Sequence, residues 1–330
     1  MFIFPRKSFI PISPLKMKRY LITGGCGFIG SNFVNYLFEN DKKCFVVNVD
    51  KLDYCANVNN VKYRDSTNYV FVHHTICDKY KLLHLMNEYN ITHVVHFAAQ
   101  SHVDNSFEHA IDYTMDNIYG THCLLEAARL YNKLALFLHF STDEVYGESH
   151  GDMKFHEMSL LCPTNPYSAT KAGAEMLVNS YIHSFKLPCI ITRGNNVYGP
   201  NQYHEKLIPR FIKLLDGGKP LTIHGSGDSK RSFIHVNDVC TAVDIVIQKG
   251  VIGETYNIGS DDENEMNVLE IAKLLCMYYK NGKYSNTWED KLTYVTDRPF
   301  NDKRYFITNT KLKTLGWKCE SKLIDYIRSL

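Results

Sequence analysis

Two short segments of the chain carry side chains suited to moving hydride and protons. Tyr167 and Lys171 stand four residues apart in a stretch with helical periodicity, so the phenol and the ammonium share one helical face. A nearby ammonium favours the phenolate, which can take an alcohol proton as hydride leaves the carbon. Asp143 and Glu144 are adjacent carboxylates, and such a pair can divide the acid and base work of expelling water. A chain with both segments could oxidise a substrate, dehydrate it and reduce it again.

A glycine-rich turn offers a place for a dinucleotide beside this chemistry. Residues 23–30 read TGGCGFIG and lie between a predicted strand and a predicted helix. Glycines let backbone N–H groups approach a pyrophosphate closely, and the helix N-terminus adds a partial positive charge. The predicted cofactor contacts in this turn are Gly24, Gly27, Phe28, Ile29 and Gly30.

Further residues extend this predicted cofactor site. Asp50 follows the turn by about twenty residues, where an acid accepts hydrogen bonds from ribose hydroxyls and repels a 2′-phosphate, so NAD is favoured over NADP. Lys51 belongs to the same predicted site, although its charge would suit a phosphate. Asp78 follows the third strand and is predicted to bond the adenine amine. Ala98 and Ala99 end a later strand with small side chains, so the dinucleotide can lie close.

The elements that position these residues alternate along the chain. Short apolar runs and helical patterns follow one another through residues 17–192, which predicts a Rossmann-type doubly wound parallel sheet as an NAD-binding domain. Segments near 232–258 are predicted to return to that domain. Residues 193–330 are predicted to form mainly a smaller α/β substrate-binding domain. Residues 1–16 hold three prolines and are predicted to be a disordered extension, with Met17 as a second candidate start.

Composition narrows the classes of function. The 330 residues carry a formal net charge of +2, which gives no strong field for nucleic acid or an anionic membrane. No apolar run approaches the ~18 residues that a membrane helix needs. The ten cysteines show neither C-x-x-C nor zinc-type spacing, which indicates reduced thiols in a cytoplasmic protein without a metal site.

Several motifs together resemble one family, the nucleotide-sugar 4,6-dehydratases of the extended short-chain dehydrogenase/reductase superfamily. The resemblance covers roughly residues 17–328 and rests on the segments 96–106 (HFAAQSHVDNS), 141–147 (STDEVYG), 193–200 (RGNNVYGP) and 297–299 (DRP). The dehydratase domain of plant-type UDP-rhamnose synthases looks most similar in the segments 50–55, 166–176 and 298–302. The resemblance therefore implies UDP-glucose as the substrate, with dTDP-glucose as the alternative.

The resemblance also implies a reaction cycle and a role for each residue. C4 is oxidised, water is lost across C5 and C6, and C6 is reduced, while a tightly bound NAD is regenerated each turnover. Tyr167 with Lys171 would take the C4 hydroxyl proton, and Thr142 would bond the C4 oxygen. Glu144 would remove the C5 proton and Asp143 would protonate the departing C6 hydroxyl. The implied substrate contacts are Ser101, His102, Asp104, Thr142, Asn196, Lys206, Leu207, Arg231, Arg298 and Tyr305.

Other activities of the superfamily are the alternatives. A 4-epimerase or a nucleotide-sugar decarboxylase would share the glycine turn, Tyr167 and Lys171, but the epimerase should lack both carboxylates and the decarboxylase usually lacks the Asp. A non-catalytic NAD-binding protein would be expected to have lost one of these groups. Asp143 and Glu144 therefore favour a hydro-lyase. The resemblance further implies a homodimer through helices at Asn117–Tyr131 and after Tyr167, and an early step of rhamnose or deoxysugar biosynthesis.

Overall fold

The computed structural model describes residues 17–41, 43–282, 288–297 and 302–330. The predictions for residues 1–16 and for Arg298 lie outside these described residues. In the part that is described, no helix is long and apolar enough to cross a membrane.

The described residues form strands and helices that alternate through most of the first half of the chain. The strands are β1 (Arg19–Thr23), β2 (Phe45–Asp50), β3 (Tyr69–His73), β4 (His93–His96), β5 (Leu136–Thr142), β6 (Cys189–Gly194), β7 (Asn196–Tyr198), β8 (Leu221–His224), β9 (Lys230–His235), β10 (Thr255–Ile258), β11 (Glu265–Asn267), β12 (Leu292–Val295) and β13 (Arg304–Tyr305). The α-helices are α1 (Phe28–Asn40), α2 (Lys79–Glu88), α3 (Val103–Glu108), α4 (Ala110–Tyr113), α5 (Gly120–Tyr131), α6 (Pro166–Phe185), α7 (Leu207–Asp216), α8 (Val236–Lys249), α9 (Val268–Gly282), α10 (Thr310–Lys313) and α11 (Leu323–Ser329).

Seven strands form one parallel sheet in the order β10-β6-β5-β4-β1-β2-β3. Every residue of β5 is buried, as expected for a strand covered on both faces by helices. One face packs against α1 and α8, and the other against α2, α5 and α6. The predicted doubly wound parallel sheet is therefore confirmed.

The strand order reverses at β1, which lies between β2 and β4. In open α/β sheets this switch point leaves a crevice beyond the carboxyl ends of the strands, where ligands bind. β1 leads into the glycine turn, β4 leads into Ala98 and Ala99, and β5 ends at Thr142. The topology thus brings the predicted cofactor and catalytic segments to one edge of the sheet.

A second, smaller core lies beside the main sheet. It is formed by α7, α9, α11 and strands β8 and β9, with buried side chains that include Phe211, Ile223 and Leu275. Its strands are short: β7, β11 and β13 all pair with β9, while β12 pairs with β8.

The helix predicted at Asn117–Tyr131 begins with a different geometry. A π-helical turn spans Thr114–Tyr119, and the α-helix α5 starts only at Gly120. In this turn the Asn117 side chain bonds the backbone N–H and carbonyl of Gln100 and the hydroxyl of Thr170. The wider turn therefore ties the loop after β4 to α6, which carries Tyr167 and Lys171.

Candidate active site

A cavity of about 310 Å³ opens at the carboxyl ends of the parallel strands. It collects residues that are far apart in the sequence, from the turn after β1 to the start of α7. The predicted residues that line it are Gly24, Gly27, Phe28, Ile29, Gly30, Asp50, Lys51, Ala98, Ala99, Ser101, Thr142, Asp143, Glu144, Tyr167, Lys171, Asn196, Lys206 and Leu207.

The glycine turn is closed so tightly that side chains are excluded at two positions. Gly24 has φ +71°, and a Cβ there would lie 2.7 Å from the Ala98 backbone. A Cβ on Gly30 would lie 2.2 Å from the Gly24 carbonyl oxygen. Gly27 is the N-cap of α1 and gives no side-chain hydrogen bond, so the first N–H groups of the helix have no side-chain cap and could bind a ligand. The turn thus has the shape and polarity of a pyrophosphate cradle.

Asp50 and Lys51 both line the next part of the cavity, but their charges are bound differently. The Asp50 carboxylate accepts N–H bonds from Cys26 at 2.9 Å and from Leu52 at 2.8 Å, so it is held at the end of β2 with lone pairs left for hydroxyl groups. The Lys51 Nζ lies 2.6 Å from Asp116 Oδ2 and 2.9 Å from Asp53 Oδ2. Because two carboxylates already neutralise Lys51, its charge is not available for a phosphate.

Asp78 is not brought into the cavity lining. Its Oδ1 accepts N–H bonds from Tyr80 and Lys81, so the carboxylate caps the N-terminus of α2. Its other oxygen lies 3.1 Å from Nε2 of His74. His74 lines the cavity at this point instead.

Asp143 is the more deeply buried carboxyl of the pair. Thr142 caps the 3₁₀ turn that follows β5, with its Oγ1 accepting the Glu144 N–H and lying 3.2 Å from Asp143 Oδ1. Asn195 Nδ2 donates to Asp143 Oδ2 at 2.7 Å. Burial and the charge of Glu144 raise the pKa of Asp143 to about 7, against the opposing bond from Asn195. This carboxyl therefore holds its proton far better than a surface aspartate does.

Glu144 is half-buried and faces a different set of groups. Its Oε2 accepts a hydrogen bond from Asn165 Nδ2 at 3.2 Å, and Asn165 also caps α6. Burial raises the pKa of Glu144, while the cations Arg231 and Lys206 act in the opposite direction. The two neighbouring carboxyls thus have different surroundings, which is what separate acid and base roles require.

Tyr167 and Lys171 lie one turn apart on α6, both buried. Lys171 Nζ donates to the Phe140 carbonyl at 2.7 Å, and burial lowers the pKa of the ammonium to about 8. Burial and then the Glu144 charge raise the pKa of Tyr167, and a hydrogen bond with Thr142 opposes them. The phenol is therefore protonated until an added positive charge in the site favours its ionised form.

A buried ion pair anchors the helix of Lys171 from behind. Glu175 lies one further turn along α6. The Arg193 guanidinium donates to it from Nη2 at 2.6 Å, and from Nε to both carboxylate oxygens at 3.1 Å. Arg193 Nη1 also donates to Tyr146 OH at 2.6 Å, and that hydroxyl donates to Asn257. The pair joins α6, the 3₁₀ turn after β5, β6 and β10 in one network.

We expect Glu175→Gln to lower the free energy of unfolding by about 3–5 kcal/mol, because Arg193 would remain buried without its counter-ion. The change is measured as the shift in the urea midpoint. Glu263→Gln is the matched control, since Glu263 pairs with Lys322 on an exposed surface, where a loss of about 1 kcal/mol or less is expected. Similar losses of unfolding free energy in both variants would contradict the expectation that a buried ion pair costs more to break than an exposed one.

The remaining predicted substrate residues fall into three groups. Lys206 Nζ donates to the Ser101 carbonyl at 2.7 Å, so these two meet in the lining. His102 caps α3 and Asp104 lies in its first turn, and neither is part of the lining among the described residues. Arg231 and Tyr305 lie next to Glu144 instead: the Tyr305 hydroxyl is 3.5 Å from Glu144 Oε2, and the Arg231 guanidinium covers the Tyr305 ring at 4.5 Å.

Three side-chain amides of the site were not predicted from the sequence. Asn195 holds Asp143, Asn165 holds Glu144, and Gln100 donates to both Asp53 and Asp116 beside Lys51. The Asn165-Pro166 helix start and the Asn195-Asn196 pair after a strand were visible signals for two of them. The other contacts depend on side chains brought together from distant segments.

Comparisons with known proteins agree with this geometry. A family model described as GDP-mannose 4,6 dehydratase matches residues 21–330. A trifunctional UDP-glucose 4,6-dehydratase, UDP-4-keto-6-deoxy-D-glucose 3,5-epimerase and UDP-4-keto-L-rhamnose reductase of Arabidopsis thaliana is 48% identical over 306 residues. That alignment covers 92% of this chain but 45% of the plant protein, so the chain spans less than half of that relative.

Two further relatives match over most of their own length. The dTDP-D-glucose 4,6-dehydratase of Homo sapiens is 45% identical over 302 residues, which cover 91% of this chain and 85% of the human protein. The crystal structure of dTDP-glucose 4,6-dehydratase from Bacillus anthracis in complex with NAD is similar with a TM-score of 0.84 and 36% identity, covering 94% of each chain.

Proposed function

Since this chain belongs to the family described as GDP-mannose 4,6 dehydratase, we propose that it is an NAD-dependent nucleotide-sugar 4,6-dehydratase acting on UDP-glucose. The product is the nucleotide-linked 4-keto-6-deoxyglucose, with dTDP-glucose as the alternative substrate. One observation carries the proposal: two carboxyls with different surroundings, Asp143 and Glu144, share the cavity with Tyr167 and Lys171. Only the loss of water needs an acid and a base there beside the hydride-transfer pair.

The residues of the chain fit NAD as the cofactor. A side chain at Gly24 or Gly30 would collide with the backbone of Ala98 or of Gly24, so only glycine permits the tight turn that a pyrophosphate cradle needs. Asp50 is placed to accept ribose hydroxyl bonds, and Lys51 is occupied by its two carboxylates, which supports NAD over NADP. When bound, NAD takes hydride from C4 and returns it to C6, and its positive charge favours the Tyr167 phenolate.

The protein side chains perform the proton transfers of the cycle. Tyr167 takes the C4 hydroxyl proton, and Thr142 bonds the C4 oxygen. Glu144 removes the C5 proton, which the new 4-keto group has made acidic. Asp143 gives its proton to the departing C6 hydroxyl, which leaves as water. Glu144 then returns a proton to C5 as C6 is reduced.

The preference for UDP rests on similarity rather than on a base contact. The plant relative at 48% identity carries UDP-glucose in its name, and the human relative at 45% carries dTDP-glucose. We therefore propose UDP-glucose as the substrate and an early step of rhamnose synthesis as the role.

A direct assay tests the function. The purified protein is incubated with UDP-glucose and, separately, with dTDP-glucose, and the products are followed by mass and by the alkaline absorbance of the 4-keto sugar. We expect a product lighter by one water, formed faster from UDP-glucose. A product of unchanged mass would indicate an epimerase, and no reaction with either substrate while NAD is bound would overturn the proposal.

We also propose a homodimer through α4, α5 and α6. Apolar side chains are exposed along these helices and the π-helical turn between α4 and α5: Ile111 is 77% exposed, Tyr119 48% and Met176 52%. Sedimentation should give the mass of two chains, and Met176→Glu should shift it toward one. Met158→Glu is the control, since Met158 is 84% exposed but lies on a separate loop. A monomeric wild type would contradict the dimer.

The proposed compartment is the cytoplasm. All ten cysteines of the chain lie in its described part and are free thiols. This is the state expected in a reducing compartment.

A further inference from the structure

A third carboxylate lies behind the catalytic pair and has no part in the proposed cycle. Asp302, just before β13, is 2% exposed. Its Oδ2 accepts two hydroxyl bonds, from Thr164 Oγ1 at 2.5 Å and from Tyr305 OH. Its Oδ1 is buried and has no hydrogen-bond partner among the described residues. Burying a carboxylate with one oxygen unpaired costs free energy, and such a group in a folded protein needs a reason to be there.

Tyr305 connects this carboxylate to the catalytic base. Its hydroxyl bonds Asp302 Oδ2 closely and lies 3.5 Å from Glu144 Oε2. The ring is held in place by the Arg231 guanidinium, 4.5 Å from the ring centroid. A phenol has one proton to donate, and the shorter contact shows that Asp302 receives it rather than Glu144.

This arrangement decides how many donors Glu144 has. Its Oε2 accepts the Asn165 bond at 3.2 Å, while the Tyr305 proton points to the other carboxylate. Each additional donor would stabilise the charged form of Glu144 and weaken it as a base. Because the new 4-keto group makes C5 only weakly acidic, the strength of this base matters for the reaction.

Charged and titratable groups face Glu144 from every side. Burial raises its pKa, and Asp302 acts in the same direction. Arg231 on β9 and Lys206 before α7 lower it, as does the Asn165 bond. Asp143 on the same turn and Tyr167 on α6 complete the set, since each has its own pKa raised by Glu144.

We propose that Asp302 is a positioning residue, which holds the Tyr305 proton away from Glu144 so that Glu144 remains a strong enough base to take the C5 proton. The inference rests on the proposed function. It assigns Asp302 no contact with substrate or cofactor. Its effect reaches the reaction only through Tyr305 and Glu144.

The Asp302→Asn variant of the NAD-loaded enzyme tests this role. A carboxamide is a weaker acceptor without charge, so the Tyr305 proton becomes available to Glu144 and the Asp302 charge is lost. Both changes lower the pKa of Glu144, so the acid limb of the kcat profile should move to lower pH by about one unit. The plateau of kcat should fall about tenfold, with a larger isotope effect for substrate deuterated at C5 and an unchanged rate of C4 oxidation.

Two further variants separate this role from a structural one. Thr164→Val removes the other hydroxyl that binds Asp302 Oδ2, so it disturbs the same carboxylate without freeing the Tyr305 proton; the acid limb should stay in place. Asp302→Asn should also lose most of its effect on kcat when measured in a Tyr305→Phe background, since no phenol proton is left to redirect. Equal losses in both backgrounds, or equal losses at C4 and C5, would overturn the proposal.

A third measurement keeps the inference open to test if Asp302→Asn does not fold. Tyr305→Phe alone should leave the acid limb within about 0.3 pH units, because its proton does not go to Glu144; a rise of about one unit would contradict the proposal. If the unmodified enzyme forms no 4-keto product at all, the proposed function fails. If the unmodified enzyme does form the 4-keto product but the Asp302 variants behave as wild type, only this inference fails.

Discussion

The Asp143→Asn variant is expected to form product about 10²- to 10⁴-fold more slowly, because a carboxamide cannot protonate the departing C6 hydroxyl. Burial and the Glu144 charge raise the pKa of Asp143 to about 7, so much of this carboxyl is protonated at neutral pH in the wild type. The new side chain has the same size, and its oxygen can still accept the Asn195 bond that Asp143 Oδ2 accepts at 2.7 Å. The loss should therefore be chemical rather than structural.

Single-turnover absorbance distinguishes the steps of this variant. C4 oxidation should continue, so reduced cofactor should accumulate and persist instead of being reoxidised at C6. Asp152→Asn is the matched control, because that side chain makes the same chemical change at a fully exposed position, with 102% relative exposure. Equal slowing of oxidation and water loss would contradict the acid role.

The pH dependence of the elimination step follows from the same carboxyl. An acid must hold its proton to donate it, so elimination in the wild type should slow as the pH rises through about 7, the pKa of Asp143. The residual rate of Asp143→Asn should not show this decline. The rate is measured in single turnovers from about pH 6 to pH 9, a range that includes that pKa. If the elimination rate of the variant declined with the same midpoint, the decline would come from the titration of another group.

Tyr167→Phe is expected to lower C4 oxidation by about 10²- to 10⁴-fold, with no reduced cofactor and no product. In the proposed cycle the phenol accepts the C4 hydroxyl proton, and we do not expect Lys171 to replace it, because its Nζ is held 2.7 Å from the Phe140 carbonyl. Since every later step needs the 4-keto group, this variant should block the whole cycle at its start. Asp143→Asn, in contrast, should block it after reduction of the cofactor.

The cofactor absorbance during one turnover again provides the measurement. Tyr181→Phe serves as the control, because it removes a hydroxyl from the same helix, where Tyr181 bonds Glu126 away from the cavity. The control should oxidise C4 at the wild-type rate. If Tyr167→Phe kept more than about a tenth of that rate, the proton would have another acceptor.

The main sheet could be predicted because its signals are local. Apolar runs such as Tyr69–His73 are bounded by polar turns, and the structure places β3 over the same residues. The small strands gave no such signal: β13 has two residues, Arg304 and Tyr305, and exists only through pairing with Lys230 and Arg231. Pairing of this kind depends on segments about seventy residues apart, and so short a strand shows no alternation of apolar and polar residues in the sequence.

The candidate site shows the same division between local and distant information. Asp143, Glu144, Tyr167 and Lys171 were singled out by type and spacing together with the glycine turn upstream, and the structure places all four in the cavity lining. The role of Lys51 was not, because it is decided by Asp116 in a π-helical turn sixty-five positions away. The chemistry of a residue can thus be predicted from the sequence, whereas its partners depend on the fold.

Asp78 illustrates a competing local rule. Its position after β3 indicated a ligand contact, but an Asp directly before a helix is also the preferred N-cap. The structure gives Asp78 the capping role: its side chain accepts hydrogen bonds from two backbone N–H groups of the first helical turn.

The return of the C-terminal half to the main sheet has a consequence for synthesis on the ribosome. Strand β10 forms one edge of the seven-stranded sheet, and α8 with Trp317 covers one of its faces. When the first two hundred residues have emerged, α1 covers part of that face, but the part that α8 and Trp317 later cover is still exposed apolar surface. The sheet is therefore completed only by the later part of the chain, and during this interval the exposed apolar surface favours aggregation of the growing polypeptide.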